Sequence, residues 1–160
     1  FPSKIDLLIE VLELYTAECA AALAKLAGSR TEPARKLSDV FRIPLERNLA
    51  WKAAHGVSCG CFIGNVILEL ASSEPLVRER AESAMAEVTR ALKPVVAEFL
   101  RAENVTDVTV PAAAEVLLGL IPGAPVQAKA CNNPDVFSRY AAFAPNMIRG
   151  VSTGQQTAFV

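Results

Sequence analysis

At 160 residues the chain has the length of one ordinary domain, and a hydrophobic share of 52% is ample for a substantial core. A formal net charge of −1 leaves no basic excess to drive nucleic-acid binding through counterion release. The cysteines at 19, 59, 61 and 131 lack the density of a disulfide-stapled secreted domain and the opening residues do not read as a signal peptide, so the expected compartment is the reducing cytoplasm.

The first predicted helix runs from Ser3 to about Ala27. Ile5, Leu8, Ile9, Leu12, Tyr15, Cys19, Leu23 and Leu26 fall at helical spacing, Ser3 with Asp6 forms a capping-box-like start, and Gly28 is the stop. A second helix is predicted from Thr31, with Pro33 in its first turn, carrying Leu37, Val40, Phe41, Leu45 and Leu49 inward and kinked at Pro44. After the turn at His55 and Gly56, "CFIGNVILELAS" is short and almost wholly apolar, which suits a short buried helix, with strand as its main competitor.

The fourth helix has the clearest signals. Ser73 and Pro75 mark its start, Val77, Ala81, Met85, Val88, Leu92, Val95 and Phe99 form its inner face, and its outer face is charged up to Arg101. A fifth helix is predicted from Val110 to Cys131. Glu115 and Lys129 are its only charged residues, so it must be covered on nearly all sides, and one chain of this size leaves part of that cover to another. Glycines and prolines interrupt it too often for a membrane span, and it reads as buried in protein. The last helix starts at Asn133 and Pro134 and presents Phe137, Tyr140, Ala141, Ala144 and Ile148. Residues 151–160 read as a loose tail. The architecture is therefore all-α, a bundle of about six helices. Pro94, Pro122, Pro125 and Pro145 fall within helical patterns at a cost of about 3 kcal/mol each unless the helix bends or ends, which puts the continuity of the last two helices in question.

Three stretches, "FPSK" before a long amphipathic helix, "GCFIGNVILELASSEPLVRERAESAM" and "QAKACNNPDVF", resemble, in this order and spacing, the C-terminal part of TetR-type bacterial transcriptional regulators. The resemblance implies that residues 1–150 form an effector-binding and dimerisation domain. It also implies that a helix-turn-helix domain stood before Phe1, so that operator DNA is reached only through that segment. The implied partners are a second copy of the chain, through Phe137, Tyr140, Ala141, Ala144 and Ile148, and a small-molecule effector whose entry makes a repressor release its operator. No membrane partner is implied.

On a helical projection Cys61, Asn65 and Glu69 make one polar line on an otherwise apolar element, and buried polar groups need partners that a ligand can supply. Trp51 and Tyr15 are expected as core residues that can double as pocket wall. Cys61 follows Gly60 at a predicted helix start, where backbone amides favour a thiolate. "HGVSCGC", together with Lys129 in "QAK", is similar to the branch of the N-ethylmaleimide reductase repressor, which implies the alternative function, a cysteine-based sensor of electrophiles or oxidants acting through Cys61 beside Lys129. An independent sensor acting without DNA is the competing class. His55, Cys59 and Cys61 lack zinc-like spacing, so no metal is expected. With a single histidine and no phosphate-cradling loop or paired-carboxylate motif, neither catalysis nor a cofactor is expected.

Overall fold

The computed structural model describes residues 1–152, and among these there are eight helices and no strand. They are α1 (Lys4–Ala27), α2 (Pro33–Asp39), α3 (Arg42–His55), α4 (Phe62–Leu70), α5 (Pro75–Ala102), α6 (Val110–Leu120), α7 (Gly123–Cys131) and α8 (Val136–Ser152). The expected tail thus contributes 151 and 152 to α8, and 153–160 lie outside the described residues.

The axis of the bundle is α5, which packs against α1, α2, α4 and α6. Its start follows from Pro75 at the first helical position, where no N–H is needed. Val77, Leu92, Val95 and Phe99 are wholly buried, and Met85 is half-buried at the edge of the same face. Pro94 is exposed, and the helix runs through it because the carbonyl it leaves unbonded faces the watery side. Opposite lies α1, about 36 Å long at the standard helical rise, with Leu12 and Leu23 buried. Ser3 caps it as expected, accepting from the Asp6 N–H at 3.1 Å.

Two expected helices break. The second divides at Val40 and Phe41, which turn into the core, rather than kinking at Pro44. Pro44 lies in the first turn of α3, where its missing N–H has no partner to lose. The rotation introduced by this break leaves Leu49 48% exposed instead of inward. The fifth divides at Ile121 and Pro122: in an unbroken helix Pro122 and Pro125 would leave the Leu118 and Ile121 carbonyls without their ladder bonds. By length and composition Val110–Cys131 could cross a membrane. In the fold it is two short helices with one buried side, carried by Ala113, Leu117, Ala124 and Ala128, so the expected near-complete cover is not supplied within the chain. The last helix continues through Pro145.

The orientation of α8 corrects the expected interface. Phe137, Ala144 and Ile148 are buried in the chain's own core, and Tyr140 and Ala141 are half-buried, the Tyr140 ring lying 5.9 Å from Phe41. Packing against α2 uses up this face. The outward apolar residues are Phe143 and Met147, 62% and 42% exposed.

Among the described residues the two shortest ion pairs between elements are Lys36–Glu98 and Arg149–Glu103. Lys36, buried to 3% exposure, donates to Ala27 O at 2.9 Å and to Glu98 Oε2 at 2.6 Å, joining α1, α2 and α5. Arg149 forks onto Glu103, Nε to Oε2 at 2.9 Å and Nη2 to Oε1 at 2.7 Å, fastening α8 to the end of α5. The Arg149 hydrogen bonds hold the Glu103 carboxyl below the usual carboxylate range. A depressed folded-state pKa contributes stability above the unfolded value that disappears as pH falls through the folded one. Glu103→Gln is therefore expected to lower the urea midpoint at neutral pH, and the gap to the parent chain should close on acidification below the ordinary carboxylate pKa. A gap that is independent of pH would refute this role.

Candidate functional site

The site begins with a loop. Residues 56–61 join α3 to α4 without regular structure, and two asparagines supply most of its side-chain hydrogen bonds. Asn48 of α3 accepts from the Gly60 N–H at 3.3 Å and donates to Gly60 O at 3.3 Å and Pro44 O at 3.0 Å. Asn132 caps α7 in the left-handed conformation that asparagine tolerates, at φ 48°. Its Oδ1 accepts from the Ser58 N–H and its Nδ2 donates to Gly56 O, both at 3.1 Å. Lys52 donates to the Asn132 carbonyl. Gly60 has φ 85°, a region closed to most side chains.

This loop delivers Cys61 to the N-cap of α4, where its sulfur accepts from the Gly64 N–H at 3.4 Å. The thiol lines a partly open cavity of about 110 Å³ between α1, α3, α4 and α5 and the α6–α7 junction. Tyr15, Cys19 and Leu23 form the α1 wall; Ile63, Gly64 and Ile67 continue the α4 wall beyond Cys61; Met85 and Val88 come from α5. Wider clefts exist on the surface; one is lined by charged chains such as Glu13, Arg80 and Glu87 and another is the apolar groove at Leu120, Phe143 and Met147, but of these only this cavity lies between α1 and α4, with an almost wholly apolar wall.

One charge stands in that wall. Arg47 of α3 lays its guanidinium over the Tyr15 ring, Cζ 4.0 Å from the centroid, and donates to Cys19 Sγ and to Glu18 Oε2, both at 2.9 Å. The Tyr15 hydroxyl and Cys19 thiol beside the guanidinium keep their protons near neutrality. Burial pushes Tyr15 up to about 12, outweighing its interactions with Arg47. Burial likewise raises the Cys19 thiol, against the opposing pull of Arg47.

The sequence-predicted residues part company here. Tyr15 and Cys61 are in the cavity wall. Asn65 reaches back to the Cys59 carbonyl at 3.5 Å and supports the loop, and Glu69 is exposed, so the pocket side of α4 is the row through Cys61, Gly64 and Ile67 rather than the polar line. Trp51 is 46% exposed and stacks on His55 at 3.9 Å, away from the cavity. Lys129 crosses Gly60 and acts on Cys59, lowering its thiol pKa against the larger upward effect of burial. It does not act on Cys61. The Cys61 thiol is raised by burial, with the Gly64 and Ile63 amides opposing, which reverses the expected direction: desolvation outweighs the helix start. Among the described residues His55, Cys59 and Cys61 do not assemble into a metal cluster. Arg47 and Cys19 were not foreseen as site residues. Their pairing spans 28 residues, and the available signal was the opposite charge of Glu18 and Arg47 on separate helices.

Residues 42–144, more than half of the chain, match the family described as tetracyclin repressor-like, C-terminal domain. The chain belongs to this family. Neither the curated proteins nor the solved structures returned a match. In this tetracyclin repressor-like domain, a type found in transcription regulators, the matched segment begins with α3 and includes the loop, Cys61 and Lys129, while the α1 wall at Tyr15 and Cys19 lies before it.

The loop's dependence on Asn48 is measurable. Asn48→Ala leaves the buried Gly60 N–H unpaired and its carbonyl with only the weak Cys59 thiol donor at 3.6 Å, and is expected to destabilise the domain by about 1–3 kcal/mol in urea unfolding, the cost of a stranded group. A loss below about 0.5 kcal/mol, the ordinary range of surface substitutions, would show that water replaces the side chain.

Proposed function

We propose that this domain is the effector-binding and dimerisation part of a TetR-type transcriptional repressor that releases operator DNA when a small molecule enters the cavity beside Cys61. The observation that carries the reading is the apolar cavity between α1 and the family-matched helices, with Tyr15, Cys19 and Leu23 as its α1 wall. An occupant touches the helix that would connect to a DNA-binding domain, so occupancy biases that helix between two geometries. The domain itself carries out no catalysis, needs no cofactor or metal, and acts in the cytoplasm. The DNA contact belongs to a helix-turn-helix segment joined ahead of α1. Burial favours a reversible occupant over thiol chemistry, because Cys61 remains a thiol.

Occupancy is tested by thermal unfolding with a one-ring solute such as benzyl alcohol. A concentration ten times the Kd should raise Tm by about 3–5 °C, and Ile67→Trp, which fills the cavity, should abolish the rise. An equal rise in the filled variant would place binding elsewhere and overturn the assignment.

The second part of the reading is a homodimer. Phe143 and Met147 on α8 lie beside Leu120 along one groove, an apolar face a second copy would cover. Sedimentation at micromolar concentration is expected to report two chains, and Phe143→Asp with Met147→Asp should give a folded monomer. A monomeric parent chain would remove dimerisation from the proposal.

A further inference from the structure

The cavity's single charge is held by weak partners. One Arg47 donor is directed at the sulfur of a neutral thiol, a poor acceptor, and another at Glu18, whose side chain is 59% exposed. Arg47 is itself partly buried, with 26% of its side chain exposed, and its planar group is already fixed face-on over Tyr15. Around it the wall is apolar, and the three acidic hydrogens nearest, on Tyr15, Cys19 and Cys61, stay in place near neutrality because burial raises each pKa. The cavity therefore has one weakly compensated charge, which leaves a preference for negative charge at the Arg47 end. Its volume of about 110 Å³ limits the apolar body to roughly one ring or a short chain, below the size range of drug-like sites.

We infer that the effector is a small apolar monocarboxylate whose carboxylate takes the Arg47 fork in place of Glu18 and Cys19 while its hydrocarbon body lies between Ile67, Met85 and Leu118. The inference rests on the cavity being the effector site. A flat, two-oxygen anion matches a guanidinium edge, and in a desolvated wall that pairing is stronger than the solvated one with Glu18. Displacing Glu18 also removes a tie between α1 and α3, so this occupant alters the attachment of α1 as well as filling space.

Benzoate, benzamide and benzyl alcohol, titrated by calorimetry at constant ionic strength, test it. Benzoate is expected to bind about tenfold or more tightly than benzamide, as a charge-assisted hydrogen bond implies. Arg47→Met should erase that preference while leaving benzyl alcohol binding in place, which also shows that the variant keeps its fold. Glu18→Gln, an exposed change, should tighten benzoate severalfold by removing its competitor, and this arm stands even if Arg47→Met does not fold. If benzoate binds no better than benzamide, or if Glu18→Gln leaves benzoate unchanged, the carboxylate inference is overturned and the cavity assignment stands. If none of the three binds, or Ile67→Trp binds them as well as the parent chain, the cavity assignment falls with it.

Discussion

The pocket side of the domain depends on the hydrogen bonding of the loop between α3 and α4. An irregular segment in contact with the core must find partners for its amides and carbonyls, and the loop at 56–61 finds them in Asn48 and Asn132. Each asparagine offers a donor and an acceptor, so each takes both polar groups of the stretch it faces. One comes from α3, before the loop, and the other from the cap of α7, more than seventy residues later. The loop is thus clamped from both sides. Cys61 at the start of α4, and with it the α4 wall, are positioned through those bonds.

Within the wall, competition between burial and charge has a consistent outcome. Arg47 lies 2.9 Å from the Cys19 sulfur, and the Cys61 sulfur accepts from a helix-start amide, arrangements that in water-exposed sites lower a thiol pKa. Here both thiols are raised, and so is the Tyr15 hydroxyl. Loss of hydration costs the anion more than one neighbouring charge or amide returns. The result is a cavity in which the only ion is a cation and every acid is neutral, a different chemistry from the thiolate-and-ammonium pair anticipated at Cys61 and Lys129.

Much of the fold was legible because helix signals are local. Ser3, Pro75 and the spacing through Val77, Ala81, Val88, Leu92 and Phe99 each act within a turn or two, and the helices formed where those residues lie. The break at Val40–Phe41 depended on which way the following turn had to face, a tertiary demand that periodicity does not register, whereas the break at Ile121–Pro122 was signalled by its prolines. The same limit applied at α8: amphipathic spacing identified Phe137, Ala144 and Ile148 as one face but could not say that α2 would cover it. At the site, Tyr15 was legible as an apolar-face residue of the first helix and Cys61 as a residue at a helix start. Arg47 was not, because its value lies in partners on α1.

These arrangements bear on how occupancy could be read at a distance. The C-terminal end of α1 is fastened by Lys36, which holds the Ala27 carbonyl and the Glu98 carboxylate at once and is itself buried. Its N-terminal half has a looser polar tie, Arg80 to Glu13 at 3.7 Å between two exposed side chains, a contact of small energetic weight. The cavity touches α1 between these ends, at Tyr15, Cys19 and Leu23. A stiff helix fixed at Ala27 and displaced at Tyr15 moves at Lys4 by roughly twice as much, because the distances from the fixed end stand as 23 to 12 residues at constant rise. In the proposed repressor, the end that moves furthest is the one that leads toward the DNA-binding segment. A shift of the wall at Tyr15 is about doubled at that end, and a cavity of about 110 Å³ takes only a small occupant.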